Sequence, residues 1–220
     1  MISVVVQTVD DEEALVGTLA SLVSGAADGA VRDVIVVDGG TAPGIPVIAD
    51  AAGCIYIKGP KRRDQRLSAG AERAKGPWLF FLAPGVEPDE AWYREARQFI
   101  ERAERKGVAT SRAAIFRIAH DDERRGLWRR LFGPPAGSYG LLIHRSFYTS
   151  LGGFRHLPPV EYVDLIRRIG PTRLTRLRSN LFVTERAAVN AELGEGLRRA
   201  VGTALLAIRV PARFVARLYA

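Results

Sequence analysis

The sequence predicts an α/β domain built on a mainly parallel sheet with helices on both faces, followed by an amphipathic helix at the C-terminus. Three observations predict it. Short apolar runs alternate with helix-like segments through the first half of the 220 residues. The first run, Ile2 to Val6, is β-branched and unbroken, as a strand buried on both faces should be. The second and fourth runs stop abruptly, at Asp38-Gly39-Gly40 and at Pro84-Gly85.

In chain order, Ile2 to Val6 is the first strand. Asp10 is expected to start a helix, with Glu13 three residues on as in a capping box, and Leu15, Leu19 and Leu22 give that helix one apolar face. Val34 to Val37 reads as the second strand, Ile45 to Ala52 as a short helix and Cys54 to Ile57 as the third strand. Asp64 to Ala74 is helical, Trp78 to Leu82 is the fourth strand and Asp89 to Lys106 is a strong helix. This β-α-β-α-β-α-β-α order is that of a parallel sheet with right-handed crossovers. The second half is less regular. Ala113 to Ile118 and Tyr139 to His144 read as strands, Ser146 to Leu151 and Val160 to Ile169 as helices, with Gly152-Gly153 as a sharp turn between the helices.

Composition narrows the function. Hydrophobic residues make up 47% and charged residues 25%, which suits a globular chain with a real core. The net charge is +8, from 32 basic and 24 acidic residues, and almost all the excess is arginine. That balance suits an anionic partner, or arginine merely solvated on the surface. The lone Cys54 excludes a disulfide framework and reads as a small core residue. The sequence shows no basic leader followed by a long apolar run and no segment long enough to span a bilayer, so a cytoplasmic location is expected. Helix-turn-helix, zinc and aromatic-rich β motifs are absent, so nucleic acid is not an expected partner.

In an open parallel sheet, ligands bind at the carboxyl ends of the strands. Those ends carry Thr8-Val9-Asp10, Asp38-Gly39-Gly40-Thr41 and Ala83-Pro84-Gly85. The first loop is acidic and lacks the glycines of a dinucleotide fingerprint, and no P-loop occurs, which weighs against nicotinamide and flavin enzymes and against ordinary nucleoside triphosphatases. Asp38 ends an apolar strand before two glycines. Its carboxylate can take base or ribose donors, or cap the following turn.

At these residues the chain resembles a family. Ile2-Ser3-Val4-Val5-Val6, Asp11-Glu12-Glu13 and Val34-Ile35-Val36-Val37-Asp38-Gly39-Gly40-Thr41 look like the opening of a bacterial family 2 glycosyltransferase with a GT-A fold. Arg63, Gly70 and Gly76-Pro77-Trp78-Leu79-Phe80-Phe81-Leu82 resemble the segment leading into that family's metal site. Tyr139-Gly140, Leu151-Gly152-Gly153-Phe154 and Glu161 resemble its acceptor side. The ordered series covers residues 1–190 and looks closest to a compact bacterial subgroup. It implies a nucleotide-sugar half over 1–110 and an acceptor half over 111–190, with 191–220 as a basic helical tail. The implied partner is a nucleoside-diphosphate sugar. The implied nucleotide-binding residues are Thr8, Asp10, Asp38, Gly39 and Arg63. Arg63 would pair diphosphate oxygens, with a surface salt bridge the alternative.

The resemblance breaks at two positions. The family's divalent cation, Mg²⁺ or Mn²⁺, is held by an Asp-containing triad after the fourth strand, where this chain has Ala83-Pro84-Gly85-Val86, without a hard ligand. No metal-ligating residue is therefore assigned. Glu87 and Asp89 are displaced by a turn and suit the start of a helix. The family's Glu-Asp pair, whose Asp serves as general base, reads Glu161-Tyr162, and tyrosine is a poor base near neutral pH. Glu161 and Asp164 are the candidates to replace it, or they cap and solvate the helix they begin. The sequence thus suggests a transferase whose diphosphate is neutralised by arginine. The alternative is a catalytically inactive domain that binds a nucleotide or a partner protein.

From Gly196 onward the chain has no acidic residue. Leu197, Val201, Leu205 and Ile208 form one helical face and Arg198, Arg209, Arg213 and Arg217 another, with Pro211 dividing the helix. Such a segment suits an anionic membrane interface, where it would bring the crevice to a lipid-linked acceptor; packing on the domain is the alternative. The full-length protein should pellet with anionic vesicles and be released by salt, while a chain ending at Glu195 stays folded and unbound. Co-sedimentation in which neither chain pellets would remove the membrane role.

Overall fold

A computed structural model describes residues 1–119, 139–158 and 160–184; the tail from Gly196 lies outside them. The chain forms β1 (Ile2–Thr8), α1 (Glu12–Ser21), α2 (Val23–Ala27), β2 (Val31–Asp38), α3 (Gly44–Ala51), β3 (Ile55–Lys58), α4 (Arg63–Arg73), β4 (Trp78–Leu82), β5 (Val86–Pro88) and α5 (Trp92–Arg105). These are followed by β6 (Ala113–Ile118), β7 (Gly140–His144), α6 (Arg145–Ser150), α7 (Glu161–Ile169) and β8 (Leu174–Val183). The described strands form one eight-stranded sheet in the order β3-β2-β1-β4-β7-β6-β8-β5.

The first four strands are parallel. β1 pairs with β2 on one side and β4 on the other, and β2 pairs with β3. Every residue of β1 is buried, because both edges are hydrogen-bonded and both faces are covered. Alternation divides the apolar side chains between two cores. Val4, Val6 and Phe80 face α1, α3 and α5 through Leu15, Ile45, Trp92 and Phe99. Val5, Ile35 and Phe81 face α4, α6 and α7 through Leu67, Phe147 and Leu165. Beyond β4 the sheet is mixed: β7 is antiparallel to β4 and β6, β8 is parallel to β6, and β5 is antiparallel to β8.

Three local expectations change. The helix expected from Asp10 begins one residue later, with Asp11 as its N-cap accepting from Ala14 N. Asp10 itself adopts φ 53°, a left-handed conformation that aspartate tolerates better than most side chains. The helix expected from Asp89 starts at Trp92, because Val86–Pro88 is drawn into pairing with β8. Asp89 then accepts from Ala91 N and Asn180 N, tying the start of α5 to that strand. β5, β8 and the short α2 are additions to the elements expected. Cys54 packs beside the core, and burial pushes its thiol up to about 11, as an inert packing residue requires.

Gly70 explains how closely α4 approaches the sheet. A Cβ there would lie 2.3 Å from Val5 Cγ1, and Val5 sits mid-strand with no room to retreat. Gly70→Ala is therefore expected to destabilise the protein by about 1–3 kcal/mol through overpacking. Urea unfolding at equilibrium would measure it, and an unchanged midpoint would show that α4 can lift off the sheet.

Candidate functional site

The parallel pairing brings the carboxyl ends of β1, β2, β3 and β4 to one edge. Thr8 stands in register with Asp38, and Asp38 with Lys58, while Leu82 delivers the chain into Ala83-Pro84-Gly85 at the same edge. Asp38 is fully buried. Its Oδ1 accepts from Gly40 N at 2.8 Å, and its Oδ2 from Lys58 Nζ at 3.0 Å and Tyr56 hydroxyl at 3.3 Å. The hydrogen bond to Asp38 raises the Lys58 ammonium above its ordinary range. Lys58 also donates to Gly40 O, so one cation fastens both the carboxylate and the loop after it. Thr8 is buried, and its Oγ1 finds no hydrogen-bond partner among the described residues.

The two glycines after Asp38 have separate physical reasons. A Cβ on Gly40 would lie 2.2 Å from Asp10 Oδ1, and one on Gly39 would lie 2.5 Å from Arg66 Nη1. Asp10 reaches across from the first loop, and its Oδ1 accepts from Thr41 N and from Ala42 N at 2.6 Å. Those backbone donors, Ala42 first and Thr41 second, hold its carboxyl below the ordinary carboxylate range. Beside it, Glu12 accepts from Gly44 N at 2.9 Å.

Arg66 lies beneath Gly39 and is buried. Its Nε and Nη2 donate to Gln7 Oε1 at 3.0 and 2.7 Å, and its Nη1 to the carbonyls of Pro60 and Lys61. Burial lowers its pKa, and the Arg63 charge lowers it further, against opposing attraction from Asp38, Glu161 and Asp64. Arg66 thus lies against the loop after Asp38 and feels the charges of Asp38, Arg63 and Glu161. Asp64 is paired with Arg62 at 2.7 Å and contacts His156 Nδ1 at 3.2 Å. Burial raises its pKa, but the hydrogen bonds from Arg62 and His156 outweigh that and leave it lowered.

At the start of the opposite helix, Glu161 is the first residue of α7 and is buried. Tyr162 packs edge-on against Phe154, with centroids 4.9 Å apart, and carries the Arg63 guanidinium 5.3 Å above its ring centre. Burial pushes its hydroxyl well above the usual phenol range, so it is no base at neutral pH. Asp164 is held by Arg168 at 2.7 Å, and Arg168 also donates to the carbonyls of Leu151 and Gly153. Asp164 therefore braces the glycine turn.

The loop after β4 offers no metal ligand. Gly85, at φ 75°, donates from its backbone to Ala14 O and Thr18 Oγ1. Glu87 lies against Gly17, where a Cβ would come within 2.4 Å of its Oε1, and Asp89 is occupied at the start of α5. Among the described residues no group of three His, Cys, Asp or Glu side chains is arranged to hold a metal ion. The residues present do not fit the divalent cation implied by the resemblance.

Thr8, Asp10, Asp38, Gly39, Arg63, Glu161 and Asp164 are the site residues expected from the sequence. Arg66, Lys58 and Tyr56 are not among them. Arg66 could have been found from its spacing, one helical turn after Arg63 at the start of α4. Lys58 and Tyr56 were not accessible that way, because only the β2–β3 register puts them against Asp38.

A parallel β3-β2-β1-β4 half, continued by a mixed sheet and by helix α7, is a GT-A fold. The model of glycosyl transferase family 2 matches residues 3–157, and the chain belongs to that family. Among curated proteins no sequence match is found. Among solved structures, glucosyl-3-phosphoglycerate synthase from Mycobacterium tuberculosis, in complex with Mn²⁺, UDP and glucosyl-3-phosphoglycerate, aligns with a TM-score of 0.67 at 19% identity, over 96% of this chain and 81% of that one. The 1–349 portion of S. aureus TarS aligns with a TM-score of 0.64 at 14% identity, over 96% and 73%. The same portion of TarS in complex with UDP-GlcNAc gives 0.63 at 13%, over 93% and 66%. At these identities the likeness is one of fold.

Because the Asp10 pKa is depressed in the folded state, its contribution is present above the unfolded value of about 4 and is lost as pH falls through the folded value. Amide-exchange protection at Thr41 and Ala42 should drop on acidification below about pH 4 in the natural chain. It should be weak at every pH in Asp10→Ala. Equal protection in the two proteins would show that the loop holds itself without Asp10.

Proposed function

We propose that the protein transfers a sugar from a nucleoside-diphosphate sugar, bound at the carboxyl edge of β1, β2 and β4, to an acceptor held on the α7 side. The observation that carries this reading is that α4 links the two sides: Arg66 lies against Gly39 beside Asp38, and Arg63, one turn earlier, lies over Tyr162 beside Glu161. It joins an acid suited to a nucleoside, cations suited to a diphosphate and an acid on the acceptor side. Membership of the family and the UDP-bound neighbours support the donor class. Three donors already engage Asp38, and a carboxylate has about four lone-pair directions. One remains for a base N–H or ribose hydroxyl, which would reach it by displacing part of the exposed Lys58 that covers it, and the buried Thr8 hydroxyl lies in register beside it. Gly39 lets the backbone come close to the ligand over Arg66. Asp10 acts on the site through the 41–42 backbone.

In this reading the guanidinium of Arg63 meets the diphosphate and stabilises it as it leaves. Glu161, which heads α7, takes the proton of the acceptor hydroxyl. Asp164 contributes by holding the turn. The basic tail would bring this crevice to an anionic membrane surface and a lipid-linked acceptor from the cytoplasmic face. A second reading, nucleotide binding without transfer, is favoured by one observation: Tyr162 stands where the family resemblance places the base, and burial keeps its hydroxyl protonated.

A panel of nucleoside-diphosphate sugars, tested by calorimetry and by release of nucleoside diphosphate, separates the readings. Binding with turnover supports transfer, binding without turnover supports the second reading, and no binding to any donor sinks both. Asp38→Asn, which keeps the shape of the side chain, should weaken donor binding by about 1–3 kcal/mol. Unchanged affinity would remove Asp38 from the binding site.

A further inference from the structure

The two departures from the family pattern meet in one contact. The loop Ala83-Pro84-Gly85 has no side chain able to hold a divalent cation; of the nearby acids, Glu87 lies against Gly17 and Asp89 is hydrogen-bonded at the start of α5. Across the crevice, Tyr162 stands where a carboxylate was expected and lies under the Arg63 guanidinium. The ring is fixed from below by Phe154, which packs in turn on Phe81 of β4 at 5.0 Å. A carboxylate at 162 would pair with Arg63 and cancel its charge. An aromatic face attracts a guanidinium but leaves its N–H groups free to donate.

Arg63 has donor capacity to spare. Its Nε is buried and finds no hydrogen-bond partner among the described residues. Arg66 differs, since its guanidinium is committed to Gln7, Pro60 and Lys61. Asp38, Glu161 and Asp64 oppose the repulsion between the two arginines, and an anion received by Arg63 would oppose it further.

We propose that Tyr162 is a positioning residue whose ring aims Arg63 into the crevice, so that Arg63, supported by the fixed charge of Arg66, receives the diphosphate in place of a divalent cation. This rests on the donor class proposed above. It makes the changes at 83–85 and at 162 complementary: the site exchanges a carboxylate-held cation for a ring-held one.

The test is calorimetry of the full chain with UDP, GDP, ADP and CDP, each with chelator and with Mn²⁺. The natural chain is expected to bind one of them with nearly the same affinity in both conditions. Tyr162→Phe should keep that affinity, since the ring face remains. Tyr162→Leu should weaken it roughly 3- to 30-fold, the range a cation–π contact spans. In an Arg63→Gln background the Tyr162→Leu loss should vanish, which a purely structural role of the ring would not produce. Tyr162→Met, closer in volume, gives the same comparison if the leucine variant does not fold. An undiminished loss in the Arg63→Gln background, or binding that collapses with chelator, overturns the proposal while leaving the donor class standing. Failure of the natural chain to bind any of the four in either condition overturns both.

Discussion

Strand β1 is hydrogen-bonded along both edges and exposes none of its seven residues. That double pairing is the constraint on which the site depends. Parallel strands in register deliver their carboxyl ends to one place, so Thr8, Asp38, Lys58 and the loop after Leu82 become neighbours although they are far apart in the chain. The burial that makes β1 a fixed reference also makes the edge polar, because the backbone leaving a fully buried strand has to find hydrogen-bond partners at once. Gly39 N takes Thr8 O, Gly59 N takes Asp38 O, and the Asp10 carboxylate takes the next two amides.

Around that edge, charge is arranged in layers of differing freedom. Lys58 neutralises Asp38 and ties down Gly40, while Arg66 is sealed under Gly39 by Gln7 and two carbonyls. Arg63 alone is held by a ring. Fixed cations shape the potential of a crevice, and a less committed one can follow a ligand whose charge changes during reaction. On the proposal made above, the absence of hard ligands after β4 and the presence of these arginines form one electrostatic arrangement.

Much of this was legible in the sequence. Trp78–Leu82 and Ala113–Ile118 fall where periodicity puts them, and the remaining parallel strands and their helices are displaced by only a few residues, because long apolar runs bounded by glycine and proline leave few alternatives. Val86–Pro88 was left outside every expected element, since nothing local reveals that Val86 will pair with Val183. β8 was missed for a different reason. Its inward face reads Thr175, Leu177, Ser179, Leu181 and its outward face Arg176, Arg178, Asn180, Phe182, so two of its four inward positions are polar. In the site, residues beside a chain break or a doublet of glycines stood out. Arg66 did not, since an arginine on a helix ordinarily reads as solvated surface, and only tertiary packing shows its burial.

The position of β8 bears on how the chain is made. It lies between β6 and β5, joins both, and presents the amides of Arg178 and Ser179 to Glu95 of α5. During synthesis β5 and α5 leave the ribosome long before residues 174–183 exist. Until then the free edges of β5 and β6 and the Glu95 carboxylate have no β8 to meet. The donor half can pair its own four parallel strands early, but closure of the sheet waits on a distant segment, and a non-local contact of that kind slows folding and leaves an edge open to stray strand pairing. Arginines spaced along β8, and the charged helix beside it, are the features that would keep a nascent chain soluble through that interval.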